Sequence, residues 1–261
     1  MMRNIRPALA VLILIGATAS SGCVSLPPNA PRSPQDPFER WNRSVYKFND
    51  VLDRHVAKPV ARSYVRYVPS PVRTGVSNFF SNLDTPTVMV NDALQGKVKA
   101  AANDLGRFLL DSTVGLGGLL DPATQIGLDH NDEDFGQTLG VWGVHPGPFL
   151  ELPLLGPSDL RDAPARVVDA YTNPTQYVQD TDIKYALWGV HLVKIRADLL
   201  PLDRTLKNVF DPYAFIRDAY LQHRAYAVSD GNVDEDAAPP DDPGSADAGT
   251  AGQPPSASQR P

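Results

Sequence analysis

Apolar residues recur at helical spacing along most of this chain. Phe38, Trp41, Val45, Phe48 and Leu52 follow one another at steps of 3, 4, 3 and 4, with Arg40, Arg43, Lys47 and Asp50 between them. That pattern predicts an amphipathic helix over residues 37–54. Ser70-Pro71 supplies an N-cap and a first-turn proline for a second helix through Val72, Val76, Phe79, Phe80 and Leu83. Thr85-Pro86 opens a third, short helix through Val88 and Leu94, with Gly96 as its stop. A fourth is predicted over 98–114, with Ala102, Leu105, Phe108, Leu109 and Ser112 on its inner side. Further helices are expected over 162–171, 182–199, 202–209 and 212–228. In the longest of these, Ile183, Leu187, Val190 and Lys194 mark a stripe that ends in a basic last turn. No series of alternating strands or internal repeat is evident, so the class is mainly α: multiple short amphipathic helices in a single domain.

Each apolar stripe fits two settings. A water-soluble bundle turns it inward as core, whereas a helix lying in a membrane interface turns it onto acyl chains. The stripes leave both open. Between positions 115 and 156 the pattern changes, because nine of the body's 13 glycines fall there amid Leu116, Leu119, Leu120, Ile126, Leu139, Val141, Trp142, Val144, Phe149, Leu150, Leu152, Leu154 and Leu155. A solvated loop would be polar, so this segment is expected to press on another apolar surface. Gly136, Gly140, Gly143 and Gly147 recur at helical spacing, which suits close approach of a second backbone. That backbone belongs either to this domain's own core or to a membrane or partner contact. On the second reading, Gly140→Leu would damage function more than folding.

Charge and composition separate the ends from the body. Residues 1–22 read as a signal peptide: Arg3 and Arg6 precede an apolar run from Ala8 to Ala19, shorter than the roughly 20 residues of a bilayer-spanning helix. It ends in Ser20-Ser21-Gly22 before Cys23, the chain's one cysteine, in a pattern similar to a bacterial lipoprotein cleavage and acylation site with Ser20 in place of the usual Leu. Residues 23–35 are the lipidated cysteine and a tether, and the tether over 24–35, holding Pro27, Pro28, Pro31 and Pro34, would reach at most about 37 Å. Residues 229–261 carry seven acids against Arg260 alone and are expected to be a disordered acidic tail.

With the +2 of residues 1–23 and the −6 of the tail set aside, residues 24–228 retain a net charge of about −2. A near-neutral body has no electrostatic grip on a polyphosphate, so nucleic acid is excluded as a partner. A single cysteine excludes a disulfide framework and a multi-thiolate metal site. His55, His130, His145, His191 and His223 are scattered, and no Gly-x-Ser-x-Gly or P-loop is present. Asp129-His130-Asn131-Asp132-Glu133-Asp134 has Asp134 where a calcium loop needs glycine, and it reads as a solvated acidic loop. No enzyme, metal or cofactor is expected.

Taken in order, the motifs of residues 36–228 resemble the MlaA (VacJ) family of outer-membrane lipoproteins. They are Asp36-Pro37-Phe38-Glu39-Arg40-Trp41-Asn42-Arg43, Phe48-Asn49, Tyr67-Val68-Pro69, Leu94-Gln95-Gly96, Phe135-Gly136-Gln137-Thr138-Leu139-Gly140, Gly156-Pro157-Ser158, Leu160-Arg161-Asp162 and Asp211-Pro212-Tyr213. The resemblance implies a ring-like helical domain anchored through acylated Cys23 on the periplasmic side of the outer membrane, with Val24 pointing to outer-membrane sorting. It further implies association with a porin, removal of misplaced phospholipids from the outer leaflet, and their delivery to the periplasmic carrier MlaC. Phe48 and Asn49, together with Gly136, Gly140, Trp142 and Gly143 as a gate, are the candidate lipid path. A lipid-anchored structural or adaptor protein of the envelope is the alternative.

Overall fold

The structure is a computed structural model that describes residues 33–232. The signal peptide, Cys23, most of the tether and the tail beyond 232 lie outside the described residues. The first helix, α1 (Glu39–Leu52), follows the apolar spacing. The chain does not stop there but continues through one π-helical turn, Asp53–Ala57, into α2 (Lys58–Tyr67). Pro59 falls in the first turn of α2, where its missing N–H costs little. Nothing in the sequence pattern predicted α2, because only Ala61 of that helix is buried.

The second and third expected helices are one, α3 (Ser70–Leu94), with Pro86 inside it. Proline removes one intrahelical bond rather than the helix, and the neighbouring Thr85 hydroxyl donates back to the Ser81 carbonyl at 2.9 Å. Gly96, at φ +78°, ends it as expected, and α4 (Val98–Thr113) returns antiparallel along α3. Beyond α4, Gly118, at φ +88°, packs against Asn82 of α3, where a Cβ would sit 2.6 Å from the Asn82 Cβ.

The glycine-rich interval folds into short pieces. They are α5 (Pro122–Gln125), α6 (Phe135–Val141), and an antiparallel hairpin of β1 (Phe149–Leu152) and β2 (Gly156–Asp159), paired Phe149 to Asp159 and Leu152 to Gly156. Asp121 and Asp134 cap the two helices through the Thr124 and Gln137 amides. The chain then runs through α7 (Asp162–Thr172), α8 (Thr181–Asp198), α9 (Asp203–Leu206) and α10 (Pro212–Val228). The helix expected over 202–209 is reduced to a 3-10 turn, Leu200–Leu202, and the four residues of α9. Mainly α in a single domain, with one two-stranded hairpin, is the architecture.

The hairpin is the pivot of the packing. Phe149 is fully buried, edge-on to Tyr213 and Tyr220 of α10 at 6.2 and 6.0 Å. Asn42 of α1 donates to the Asp36 carboxylate at 2.8 Å and to the Phe149 carbonyl at 3.0 Å, and accepts from the Glu151 amide at 2.9 Å. Opposite it, Arg196 of α8 bonds Asp53 and Asp203, and Lys58 of α2 reaches Asp203 at 2.8 Å, which ties α2, α8 and α9 together.

Candidate functional site

The apolar stripes of α1, α4 and α8 face largely outward, whereas on α3 Phe80 and Val88 are buried. On α1, Phe38, Trp41, Phe48 and Leu52 are exposed, while Glu39 and Asn42 share the buried side with Val45. On α4, Leu105 and Leu109 are exposed and Asp104, Arg107 and Asp111 are buried, the reverse of the inner face expected from spacing. On α8 no residue is fully buried: of the predicted stripe Ile183 and Val190 are exposed and Leu187 and Lys194 half-buried, and Tyr185, Trp188, Leu192 and Ile195 are exposed too. Of the described residues, eight hydrophobic side chains are buried against 19 polar or charged ones. In water each exposed side chain would forgo roughly 25 cal/mol per Å² of apolar area, a penalty that vanishes against hydrocarbon. No helix among the described residues is long and apolar enough to cross a membrane.

The polar interior is paired. Arg224 of α10 donates to Asp134 through two nitrogens at 2.6 and 2.9 Å and forms an ion pair with Asp162, Nε to Oδ2 at 2.5 Å, while Arg161 donates to Asp162 at 2.8 Å and Tyr220 donates to it at 2.7 Å. Burial opposes ionisation of Asp134 and Asp162, but their arginine partners outweigh it and hold both carboxyls below the usual carboxylate range. A small cavity of about 140 Å³ lies among these groups, lined also by Arg166 and Asp169. The acidic loop joins in: Glu133 accepts from Gln95 at 2.8 Å and Lys97 at 2.7 Å, and Asn131 donates to both oxygens of Asp92. Beside it, Gly96 to Ala100, Asn131, Glu133 and Asp230 line an open cleft of about 560 Å³.

The candidate path residues fall into two groups against different elements. Asn49 clasps the hairpin, donating to Glu151 Oε1 and the Leu152 carbonyl at 3.0 Å each and accepting from the Leu154 amide at 2.8 Å. Its neighbour Phe48 is exposed. Burial pushes the Glu151 carboxyl up to about 7, partly offset by the Asn49 hydrogen bond. Gly136 and Gly140 instead lie in α6 against α7 and α10. A Cβ at 136 would meet Asp162 Oδ1 at 2.4 Å, and one at 140 would meet Arg161 Nη1 and Val228 at 2.7 Å. Any side chain at 140 therefore collides with this domain's own interior, and the expectation that Gly140→Leu spares folding is reversed. Trp142 is exposed, with its indole N–H donating to the Leu94 carbonyl at 3.2 Å, and Gly143, at φ +90°, has open space around its Cα.

The match to the MlaA lipoprotein family model covers residues 34–227. The chain belongs to the MlaA lipoprotein family. Similar relatives of this MlaA-family chain include the intermembrane phospholipid transport system lipoprotein MlaA of Escherichia coli K12, 35% identical over 228 residues, spanning 85% of this chain and 89% of that protein. The lipoprotein of the same name in Haemophilus influenzae is 35% identical over 230 residues, spanning 85% and 91%. An uncharacterized protein of Rickettsia conorii is 36% identical over 215 residues, 82% of each chain. A chain solved in work on the structural basis for maintenance of bacterial outer membrane lipid asymmetry superposes with a TM-score of 0.68 at 37% identity, covering 76% of this chain and 100% of its own.

Sequence reasoning missed the buried hub of this MlaA-family chain. Its signals were present: Leu160-Arg161-Asp162 and Phe135-Gly136 are motifs of the resemblance, and they meet at Asp162. Arg224 carried no signal, because a single arginine on a mixed helix face is an ordinary surface residue.

Proposed function

We propose that this chain is the outer-membrane lipoprotein of an intermembrane phospholipid transport system. In that role it removes phospholipids misplaced in the outer leaflet and passes them to a periplasmic carrier of the MlaC kind. The reading is supported by the names of the relatives and carried by one observation, the outward-turned apolar stripes over a polar, ion-paired interior. Acylated Cys23 fixes the chain to the membrane, the tether keeps the body near it, and a porin holds the body at depth. The membrane and its phospholipids are the substrate side of the path, and no nucleotide or metal takes part.

The path must solve one physical problem: a phospholipid has a charged head that resists burial and two tails that resist water. Phe48 and Trp142 offer apolar surface to the tails. Gly143 gives the chain after α6 its freedom to turn, so that the segment bearing Trp142 acts as the gate. Gly136 and Gly140 set that gate on the hub by letting α6 approach α7 and α10. Asn49 acts through the hairpin, holding the entrance rather than touching lipid.

The experiment is transfer of labelled phospholipid from vesicles holding the acylated chain to purified carrier. Transfer that needs the chain, and that falls when Trp142 is replaced by aspartate, is expected. A folded chain that binds vesicles but moves no lipid would leave the adaptor reading standing instead.

A further inference from the structure

Between Arg54 and Leu83 the chain carries Arg54, Lys58, Arg62, Arg66 and Arg73 and no Asp or Glu. Arg54 is paired with Asp50 and Lys58 with Asp203. Arg62 and Arg66 remain: both are exposed, neither has an acidic partner among the described residues, and Arg66 lies over the Tyr67 ring at 5.5 Å. One turn apart on α2, they form a basic strip. Beside it on the same outward side runs an apolar strip of Val56, Val60 and Tyr67, all exposed, while Ala61 faces inward and α2 packs on α8. At the end of the strip, Arg73 of α3 has its Nε buried without a hydrogen-bond partner, as has the Tyr64 hydroxyl.

We infer that α2 is a docking surface for anionic phospholipid headgroups, seated with Val56, Val60 and Tyr67 among acyl chains and Arg62 and Arg66 at the phosphates. This rests on the proposed seat of the body at a bilayer and adds the headgroup class. A helix that only faces water needs no apolar strip. One that only packs on protein would pair its arginines. Apolar and basic strips side by side, with long side chains free to reach sideways, match the boundary between hydrocarbon and negative phosphates.

The test uses the full chain in micelles of a neutral detergent doped with phosphatidylglycerol or phosphatidylcholine, with retained lipid read by native mass spectrometry. The intact chain is expected to retain phosphatidylglycerol about tenfold better, given two cations near an anionic surface, and to lose that preference as salt rises. The Arg62→Gln/Arg66→Gln variant is expected to bring the two lipids to parity with phosphatidylcholine unchanged. Arg40→Gln/Lys99→Gln, which removes the same charge from other exposed positions, is expected to keep the preference. Equal retention of both lipids by the intact chain overturns the inference alone and assigns the strip to an acidic protein partner. An equal fall in the control variant also overturns it, and retention of neither lipid overturns the transport reading with it.

Discussion

Replacing Arg224 by methionine is expected to lower the stability of the fold by about 2–3 kcal/mol, between the roughly 3–5 kcal/mol of a fully buried pair and the roughly 0–1 kcal/mol of a solvated one, because the Asp162 side chain is 5% exposed but that of Asp134 is 39% exposed. Methionine fills the space but leaves the buried Asp162 and the part-exposed Asp134 carboxylates facing each other without the cation between them. Arg161 at 2.8 Å and Tyr220 at 2.7 Å still serve Asp162, whereas Asp134 keeps the Gln137 amide that it caps and a long bond of 3.4 Å from the Gln137 side chain. The loss is therefore expected to be felt first at α6, the element that carries Gly136 and Gly140 and leads to Trp142. Denaturant unfolding in non-ionic detergent measures it. A change below about 1 kcal/mol, the range of solvated surface pairs, would mean that water reaches the hub.

The second large effect is a gain. Asp92 of α3 and Asp104 of α4 are both fully buried, and one oxygen of Asp104 has no hydrogen-bond partner. Burial first, then the hydrogen bond and charge of Asp92, push Asp104 up to about 7, against weaker opposition from Asn103 and Arg107. Asn131 donates to both oxygens of Asp92. A raised folded-state pKa means that the fold holds this proton more tightly than the unfolded chain does. Its contribution is complete below the unfolded value near 3.8, shrinks as pH rises, and is gone above about 7. Asp104→Asn keeps the shape without the charge, so at pH 8 it is expected to stabilise by on the order of 2–4 kcal/mol and at pH 4 by little. Unfolding free energies of both proteins across pH 4–8 check this. Parallel profiles would place the shared proton elsewhere.

The helices were legible in the sequence because backbone periodicity does not depend on what surrounds the helix. Their orientation was not, for a physical reason. A wheel with Leu105 and Leu109 on one side and Asp104, Arg107 and Asp111 on the other is amphipathic either way round. Only the partners of the polar side decide which side is inside. The same reversal hid the hairpin: in Phe149-Leu150-Glu151-Leu152 the buried positions are an aromatic ring and a carboxylate, so no apolar alternation announced a strand. Pro86 looked like a boundary because proline usually is one, and α2 was invisible because a helix with one buried alanine has no inward stripe.

The candidate site was legible in part. Phe48 and Trp142 are exposed, an orientation that the spacing had left open between core and membrane, and Gly143 has the open backbone of a turn. Asn49 and Gly140 are held by interior contacts made to residues more than 20 positions away, on the hairpin and on α10 respectively. Local spacing carries no record of such contacts.

The central claim is that the exposed apolar surface meets acyl chains. Trp41, Trp142 and Trp188 are the chain's three tryptophans, and they are 50%, 54% and 55% exposed on α1, after α6 and on α8. The full chain in bilayers of phosphatidylcholine with brominated acyl tails provides the direct measurement. Strong quenching of tryptophan emission by the bromines, with little quenching by aqueous iodide, is the predicted result. Full access to iodide with no effect of the bromines would contradict the account.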